Sequence, residues 1–80
     1  MAMLLDIVSV QAQSDHGLVL QFENGETRHF DMSMYMDQKP WTKLKKSPLF
    51  YHPRVEHGTV VWPGEIDIDP ETLYELSKPV

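Results

Sequence analysis

The chain of 80 residues has no cysteine, no long apolar run and few basic residues. The lack of cysteine excludes a disulfide framework, a thiolate nucleophile and a thiolate zinc site. It agrees with a reducing compartment, and we expect a cytoplasmic protein. No apolar stretch approaches the ~20 residues that a membrane-spanning helix needs, so no membrane contact is expected. The first residues lack a basic leader and a small-residue cleavage site, and Asp6 interrupts them, so we expect no signal peptide.

Charge and length limit the function further. Seven Lys and Arg residues stand against twelve Asp and Glu residues, which gives a formal net charge of −5. This balance makes nucleic acid an unfavourable partner, because binding to it needs clustered basic residues. A chain this short forms one small domain, 1–80, and has no room for a doubly wound nucleotide-binding sheet. We therefore expect a domain that offers a surface more readily than a pocket.

Branched and alternating apolar residues predict three strands in the N-terminal part of the chain. The stretch 4–10 carries apolar side chains on both faces, which predicts an inner strand or a strand covered on both sides. The stretches 18–22 and 26–31 flank Asn24-Gly25. That dipeptide is a strong hairpin signal because both residues tolerate positive φ.

The register of this hairpin depends on where the large apolar side chains go. A two-residue loop puts Phe30 on the face opposite Leu18, Leu20 and Phe22. A three-residue loop with Gly25 in the left-handed bulge position pairs Leu18 with Phe30 and gathers these groups on one face. We therefore predict the three-residue loop.

Proline and glycine divide the rest of the chain into short elements. The pattern predicts a short helix over 40–46, a hairpin over 54–62 around Gly58, an extended piece over 66–68, and a terminal helix that Asp69 caps. The predicted fold class is α+β, a small antiparallel sheet in the order β-β-β-α-β-β-α with short helices packed on the sheet. The expected core consists of Leu18, Leu20, Phe22, Phe30, Trp41, Leu44, Phe50, Trp62 and Leu73.

Acidic residues and histidines are candidates for a metal site. Oxygens from Asp67, Asp69 and Glu71 could bind Mg²⁺ or Ca²⁺, but helix capping accounts for two of them and no EF-hand loop is present. The four histidines lack the spacing of a zinc site; they are His16, His29, His52 and His57. We therefore predict no catalytic residue, no metal site and no cofactor, and the sequence favours a protein that is not an enzyme.

Three further features could bind macromolecules. Met32, Met34, Tyr35 and Met36 form a soft apolar run; such side chains fill gaps in cores and also line protein-binding surfaces, so both interpretations stay open. Sheet edges could pair with another protein or with a second copy of the chain. A basic cluster near Trp41 could bind a single nucleic-acid strand, although a solvated helix face is favoured. The cluster is Lys39, Lys43, Lys45 and Lys46.

The ordered set of these residues resembles the bacterial domain-of-unknown-function family 2442 over nearly the whole chain. The resemblance rests on Val8, Val10, the run Leu18-x-Leu20-x-Phe22-x-Asn24-Gly25, Phe30-Asp31, Leu44, Phe50, Trp62, Asp67, Pro70, Leu73 and Tyr74. It implies a small α+β fold like the N-terminal domain of a Nitrosomonas protein. It also implies an antitoxin-like role, since many members are encoded beside a small protein of unknown-function family 4160.

The expected function is thus a non-catalytic protein-binding module, antitoxin-like as the resemblance implies. A small metal- or nucleotide-dependent enzyme is one alternative, since some relatives carry a molybdopterin-guanine dinucleotide biosynthesis label. The Gly-rich phosphate loop that such chemistry needs is not visible in this sequence. A nucleic-acid accessory protein is the other alternative. The family brings no established catalytic residues, so none can be carried over.

Overall fold

Two small antiparallel sheets and one short α-helix form the fold in the computed structural model, which describes residues 5–80. The strands are β1 (Ile7–Ala12), β2 (Gly17–Phe22), β3 (Thr27–Asp31), β4 (Arg54–Glu56), β5 (Thr59–Trp62), β6 (Ile66–Ile68) and β7 (Lys78–Pro79), and the helix α1 is Pro70–Leu76. The sheets have the orders β1-β2-β3-β7 and β4-β5-β6. The predicted α+β class is confirmed, with more strand than helix. No helix within residues 5–80 is long and apolar enough to cross a membrane.

The hairpin of β2 and β3 has the register of the three-residue loop. Leu18 lies opposite Phe30, and the Phe22 N–H donates to the Glu26 carbonyl at 2.9 Å. Gly25 has a φ of 90°, a conformation that only glycine adopts at no steric cost. A slip of one residue would move Phe30 across the sheet and out of the core. The register predicted from the side-chain faces is therefore confirmed.

β1 lies at the end of its sheet, so the prediction of an inner or doubly covered strand was wrong. Ile7 is buried, but the next side chain, Val8, is 57% exposed. The pairing register shifts between Ile7 and Ser9, and such a bulge breaks the strict alternation on which the prediction relied. The Ile7 N–H instead donates to the Gly58 carbonyl at 2.9 Å, which joins β1 to the second hairpin. Residue 4 of the predicted strand lies outside the described residues.

Three 3-10 helices replace the helix predicted in the middle of the chain. They are Met32–Tyr35, Trp41–Leu44 and Pro48–Tyr51. The second stands where a helix over 40–46 was predicted, and Pro40 precedes it instead of starting it. Three residues per turn keep Trp41 and Leu44 on one face. Leu44 is buried, and Trp41 Nε1 donates to the Asp67 carbonyl at 3.0 Å.

The core lies where the two sheets and the 3-10 helices meet. Of the nine predicted core side chains, Trp41 is half-buried and the other eight are buried. The indole of Trp62 donates to the Phe50 carbonyl at 3.0 Å, and the two rings stack with centroids 6.1 Å apart. The core also contains Ile7, Met32, Met36, Val60, Ile66 and Ile68. The extended piece predicted over 66–68 is the strand β6, which pairs with β5.

A polar network fastens the C-terminal elements to the first sheet. Arg28 donates from Nε to Ser77 Oγ at 2.8 Å, from Nη2 to the Ser77 carbonyl at 2.7 Å, and from Nη1 to Glu26 Oε1 at 2.9 Å. Glu26 Oε2 accepts from the Tyr74 hydroxyl at 2.6 Å. The guanidinium of Arg28 lies 4.5 Å from the centroid of the Tyr74 ring, a cation–π arrangement. These contacts hold α1 and β7 against β3.

This network predicts how stability depends on pH. Hydrogen bonds, first from the Tyr74 hydroxyl and then from Asn24, hold the pKa of Glu26 below its usual 4.5, and the bond to Glu26 raises the pKa of Tyr74 above 10.0. A lowered carboxyl pKa contributes stability above the unfolded-state pKa, which is lost as the pH falls through the folded-state pKa. A raised phenol pKa contributes stability below its unfolded-state pKa, which is lost as the pH rises through the folded-state pKa.

The free energy of unfolding should therefore decline on both the acid and the alkaline side, and Glu26→Gln should flatten both limbs. Urea unfolding from pH ~3 to ~11 measures this. Glu75→Gln is the control, because Glu75 is exposed on α1 and should leave the profile unchanged. A Glu26→Gln profile parallel to that of the wild type would contradict the assignment.

Candidate protein-binding surface

The methionine segment leaves β3 through a side-chain cap. Asp31 Oδ1 accepts from the Ser33 N–H at 2.9 Å and also from the Ser33 hydroxyl, which starts the 3-10 helix Met32–Tyr35. An aspartate followed two residues later by serine is a common turn-forming pair, because the carboxylate takes up the free backbone N–H. The alternating methionines therefore belong to a helical turn and do not extend the strand.

This turn splits the four predicted surface residues between the core and the solvent. Met32 and Met36 are buried, whereas Met34 is 56% exposed. Tyr35 is half-buried and stacks on Phe30 with ring centroids 5.8 Å apart. The surface that another molecule can reach is thus Met34 with the outer side of Tyr35. Contact with a partner at this segment stays a prediction.

Met34 lines a depression together with a second exposed apolar side chain that is distant in the sequence. Leu76, the last residue of α1, is 50% exposed. Met34 and Leu76 line one depression of about 280 Å³ together with His29, Asp31 and Lys78. We call these five residues the Met34–Leu76 groove. It is formed where β3, the first 3-10 helix, α1 and β7 meet.

The groove carries one charge of each sign. Hydrogen bonds from Ser33, first from its hydroxyl and then from its backbone N–H, hold the pKa of Asp31 below its usual 3.8, so Asp31 is a carboxylate at neutral pH. Lys78 on β7 supplies the positive charge, and it lies opposite His29 in the strand pairing. The formal charge of the groove at pH 7 is therefore −1 + 1 = 0, with histidine neutral, although the whole chain has −5.

Sequence reasoning missed Leu76 and Lys78 as surface residues. Leu73 is buried as expected, but Leu76, three residues further along the same helix, is half exposed. α1 ends at Leu76, so its last turn lies at the margin of the core. α1 has seven residues, which is about two turns. The shortness of this helix is the signal that its last turn can lie beyond the core.

The acidic residues near α1 have a structural role. Asp69 Oδ2 accepts from the Thr72 N–H at 3.4 Å, and Glu71 lies in the first turn, as the capping pattern predicts. Within residues 5–80, no group of three His, Asp or Glu side chains is placed so that it could hold a metal ion. Among the histidines, His16 packs edge-on against Phe50 with centroids 5.0 Å apart.

The outer face of the second sheet bears another depression, of about 260 Å³. Its lining is Arg54, Glu56, His57, Thr59, Val61, Glu65 and Asp67. Arg54 Nε pairs with Glu56 Oε2 at 2.5 Å. Val61 is the only large apolar side chain among these lining residues, and it is half-buried. This depression is therefore polar, unlike the Met34–Leu76 groove.

The predicted basic cluster is exposed, but its aromatic neighbours are not free to stack on bases. Lys45 Nζ pairs with Asp37 Oδ1 at 2.6 Å. The ring of Trp41 packs edge-on against Tyr35 with centroids 5.3 Å apart, and Phe50 is buried. The solvated-face interpretation of the cluster thus agrees with the packing.

At each of two sheet edges, one backbone group is unavailable to a further strand. At β6, the Asp67 carbonyl accepts from the indole of Trp41. At β7, the Val80 N–H donates to the Thr27 carbonyl at 3.0 Å. In an antiparallel pair, the backbone groups of the preceding residue, Pro79, therefore point away from β3. Proline has no N–H to offer to a further strand. These edges favour a contact through side chains over strand pairing.

Comparison with known proteins places the chain in a described group. The family model described as "Protein of unknown function (DUF2442)" matches residues 7–79. No curated protein and no solved structure matches the chain. The matched range takes in the seven strands, α1 and the five residues of the Met34–Leu76 groove.

Proposed function

The chain belongs to the DUF2442 family, a family of unknown function, and from that premise we propose that it is a non-catalytic protein-binding module. The Met34–Leu76 groove is its contact surface. One observation carries this proposal: two exposed large apolar side chains from different elements, Met34 and Leu76, line the same depression. Single exposed apolar residues are common on soluble domains, but neighbouring ones with a polar rim mark interaction sites.

The chemistry of the groove suits a protein partner. The unbranched side chain of Met34 adapts its shape to the surface that it contacts, and methionine is enriched at protein interfaces. Asp31 attracts a basic group and Lys78 an acidic group, so the rim orients a partner that inserts an apolar side chain between them. The net charge of −5 further favours a basic partner over nucleic acid or an anionic membrane.

The finer proposal is an antitoxin-like role in the cytoplasm, with a small toxin-like protein as the partner. Its support is the family resemblance and the acidic charge of the chain, which complements a basic partner. Co-expression with a small protein of unknown-function family 4160 tests it. The chain should relieve growth arrest caused by that protein, and a chain with Met34→Glu and Leu76→Glu should not. Arrest that persists with the wild-type chain would refute the antitoxin role.

Capture from a native lysate tests the binding module itself. The variant Met34→Glu/Leu76→Glu should retain at least ~10-fold less of the partner than the wild type, since buried interface side chains are each worth ~1–2 kcal/mol or more. The matched control is Leu49→Glu. Leu49 is also exposed, at 41%, and also lies on a 3-10 helix, but outside the groove.

The control should capture as much partner as the wild type. Circular dichroism should show that all three proteins are folded. Equal recovery by the groove variant, or no specific protein recovered by the wild type, would exclude the groove as the binding surface.

A further inference from the structure

The groove differs in charge from the rest of the chain. The chain as a whole has a charge of −5, so two copies carry a net repulsion. In the groove, Asp31 and Lys78 balance, and Met34 and Leu76 lie with them. Two copies can therefore approach through this face without a net like-charge contact.

The same four residues satisfy the requirement of two-fold symmetry. In a two-fold interface, a contact between one residue of the first copy and a different residue of the second occurs twice. A patch with one acid, one base and apolar side chains is complementary to itself under such a rotation. We propose that a second copy of the chain docks in the Met34–Leu76 groove, with Asp31 of each copy facing Lys78 of the other and the apolar side chains between them.

The size of the face indicates that this dimer is weak and reversible. Five residues line the groove, whereas a standard stable interface takes about 20–30 residues from each partner. The sheet is not extended across the interface, because Pro79 offers no N–H at the β7 edge. We therefore expect a dissociation constant on the order of 10⁻⁴ M.

The dimer and the heterologous partner would occupy one surface. The inference rests on the same groove as the proposed function, although it does not require that another protein binds there. A partner would bind the monomer and shift the equilibrium by mass action. Self-association thus keeps Met34 and Leu76 from solvent at high concentration and releases them on dilution.

Sedimentation equilibrium of the purified chain from ~20 µM to ~1 mM tests the dimer. The average mass should rise from that of one 9.3 kDa chain towards twice that value. Met34→Glu/Leu76→Glu should stay monomeric throughout. Lys78→Glu should weaken association at least ~10-fold, because it places two carboxylates from opposite copies against each other. Leu49→Glu should associate as the wild type does.

A wild-type chain that is monomeric at ~1 mM would overturn the dimer. An association that Leu49→Glu abolishes and the groove variant retains would overturn it as well. The capture experiment separates this result from the proposed function. Groove-dependent capture by a chain that never dimerises leaves the binding module standing, whereas a dimer without capture supports only the self-docking surface.

Discussion

Replacing Trp62 with alanine is expected to lower the free energy of unfolding by about 3–5 kcal/mol. Trp62 is fully buried, and its indole N–H donates to the Phe50 carbonyl. The substitution leaves a cavity and an unsatisfied carbonyl where the second sheet meets the 3-10 helix Pro48–Tyr51. A domain of this length has roughly 4–12 kcal/mol of stability in total, so the variant should be close to unfolding. Urea denaturation followed by far-ultraviolet circular dichroism measures the loss.

Trp41 provides the matched control for this prediction. It is the other tryptophan of the chain, and its indole also donates to a backbone carbonyl, but the side chain is half-buried. Trp41→Ala should therefore cost only about 1–2 kcal/mol, since less apolar area is lost. Equal losses at the two positions would show that the core is not centred on Trp62.

Replacing Arg28 with methionine is expected to cost about 2–4 kcal/mol. The side chain of Arg28 is only 12% exposed, and it makes the three hydrogen bonds that tie Ser77 and Glu26 together. Methionine keeps much of the apolar stem, but it leaves the Ser77 carbonyl without its guanidinium donor. The loss should appear first at α1 and β7, because the network holds them to β3. Relative to the wild type, the substitution should increase the rate of amide hydrogen exchange more in α1 than in β2.

Arg54→Met is the control for the arginine network. Arg54 also pairs with a glutamate two residues away, but its side chain is 50% exposed. Exposed pairs contribute little, so this substitution should change the free energy of unfolding by at most about 1 kcal/mol. A loss at Arg28 as small as that at Arg54 would mean that the network does not hold the C-terminal elements.

The sequence predicts the second and third strands well because large side chains and one glycine determine them. Leu18, Phe22 and Phe30 reach the core together in a single register, and Gly25 supplies the positive φ that this register needs. The first strand was predicted less well. A bulge after Ile7 turns Val8 to solvent, and a list of branched residues contains no signal for it.

The middle of the chain shows a different limit of prediction from the sequence. Trp41 and Leu44 are three residues apart, a spacing that fits both an α-helix and a 3-10 helix. In the structure this segment is one 3-10 turn, and the Trp41 indole donates to the Asp67 carbonyl. That contact joins residues far apart in the sequence, so local pattern alone could not predict it.

The groove was predictable only in part. The methionine run contains Met34, one of the two exposed apolar side chains of the groove, and the pair Asp31 and Ser33 was a local sign that a turn follows β3. Which methionine is exposed depends on the geometry of that turn. Leu76 and Lys78 line the same depression as Met34 because β7 pairs with β3 and brings the end of α1 back to the sheet. This is a tertiary contact that leaves no periodic pattern in the sequence.

Photocrosslinking from position 34 tests most directly whether the Met34–Leu76 groove is a protein-binding surface. A photoreactive amino acid is placed at Met34 and, in a separate chain, at Leu49, and cells that make each protein are irradiated before mass spectrometry. A chain labelled at position 34 should form a specific adduct with another protein or with a second copy of itself, and a chain labelled at position 49 should not. The account is contradicted if position 34 gives no adduct, or if both positions give the same set.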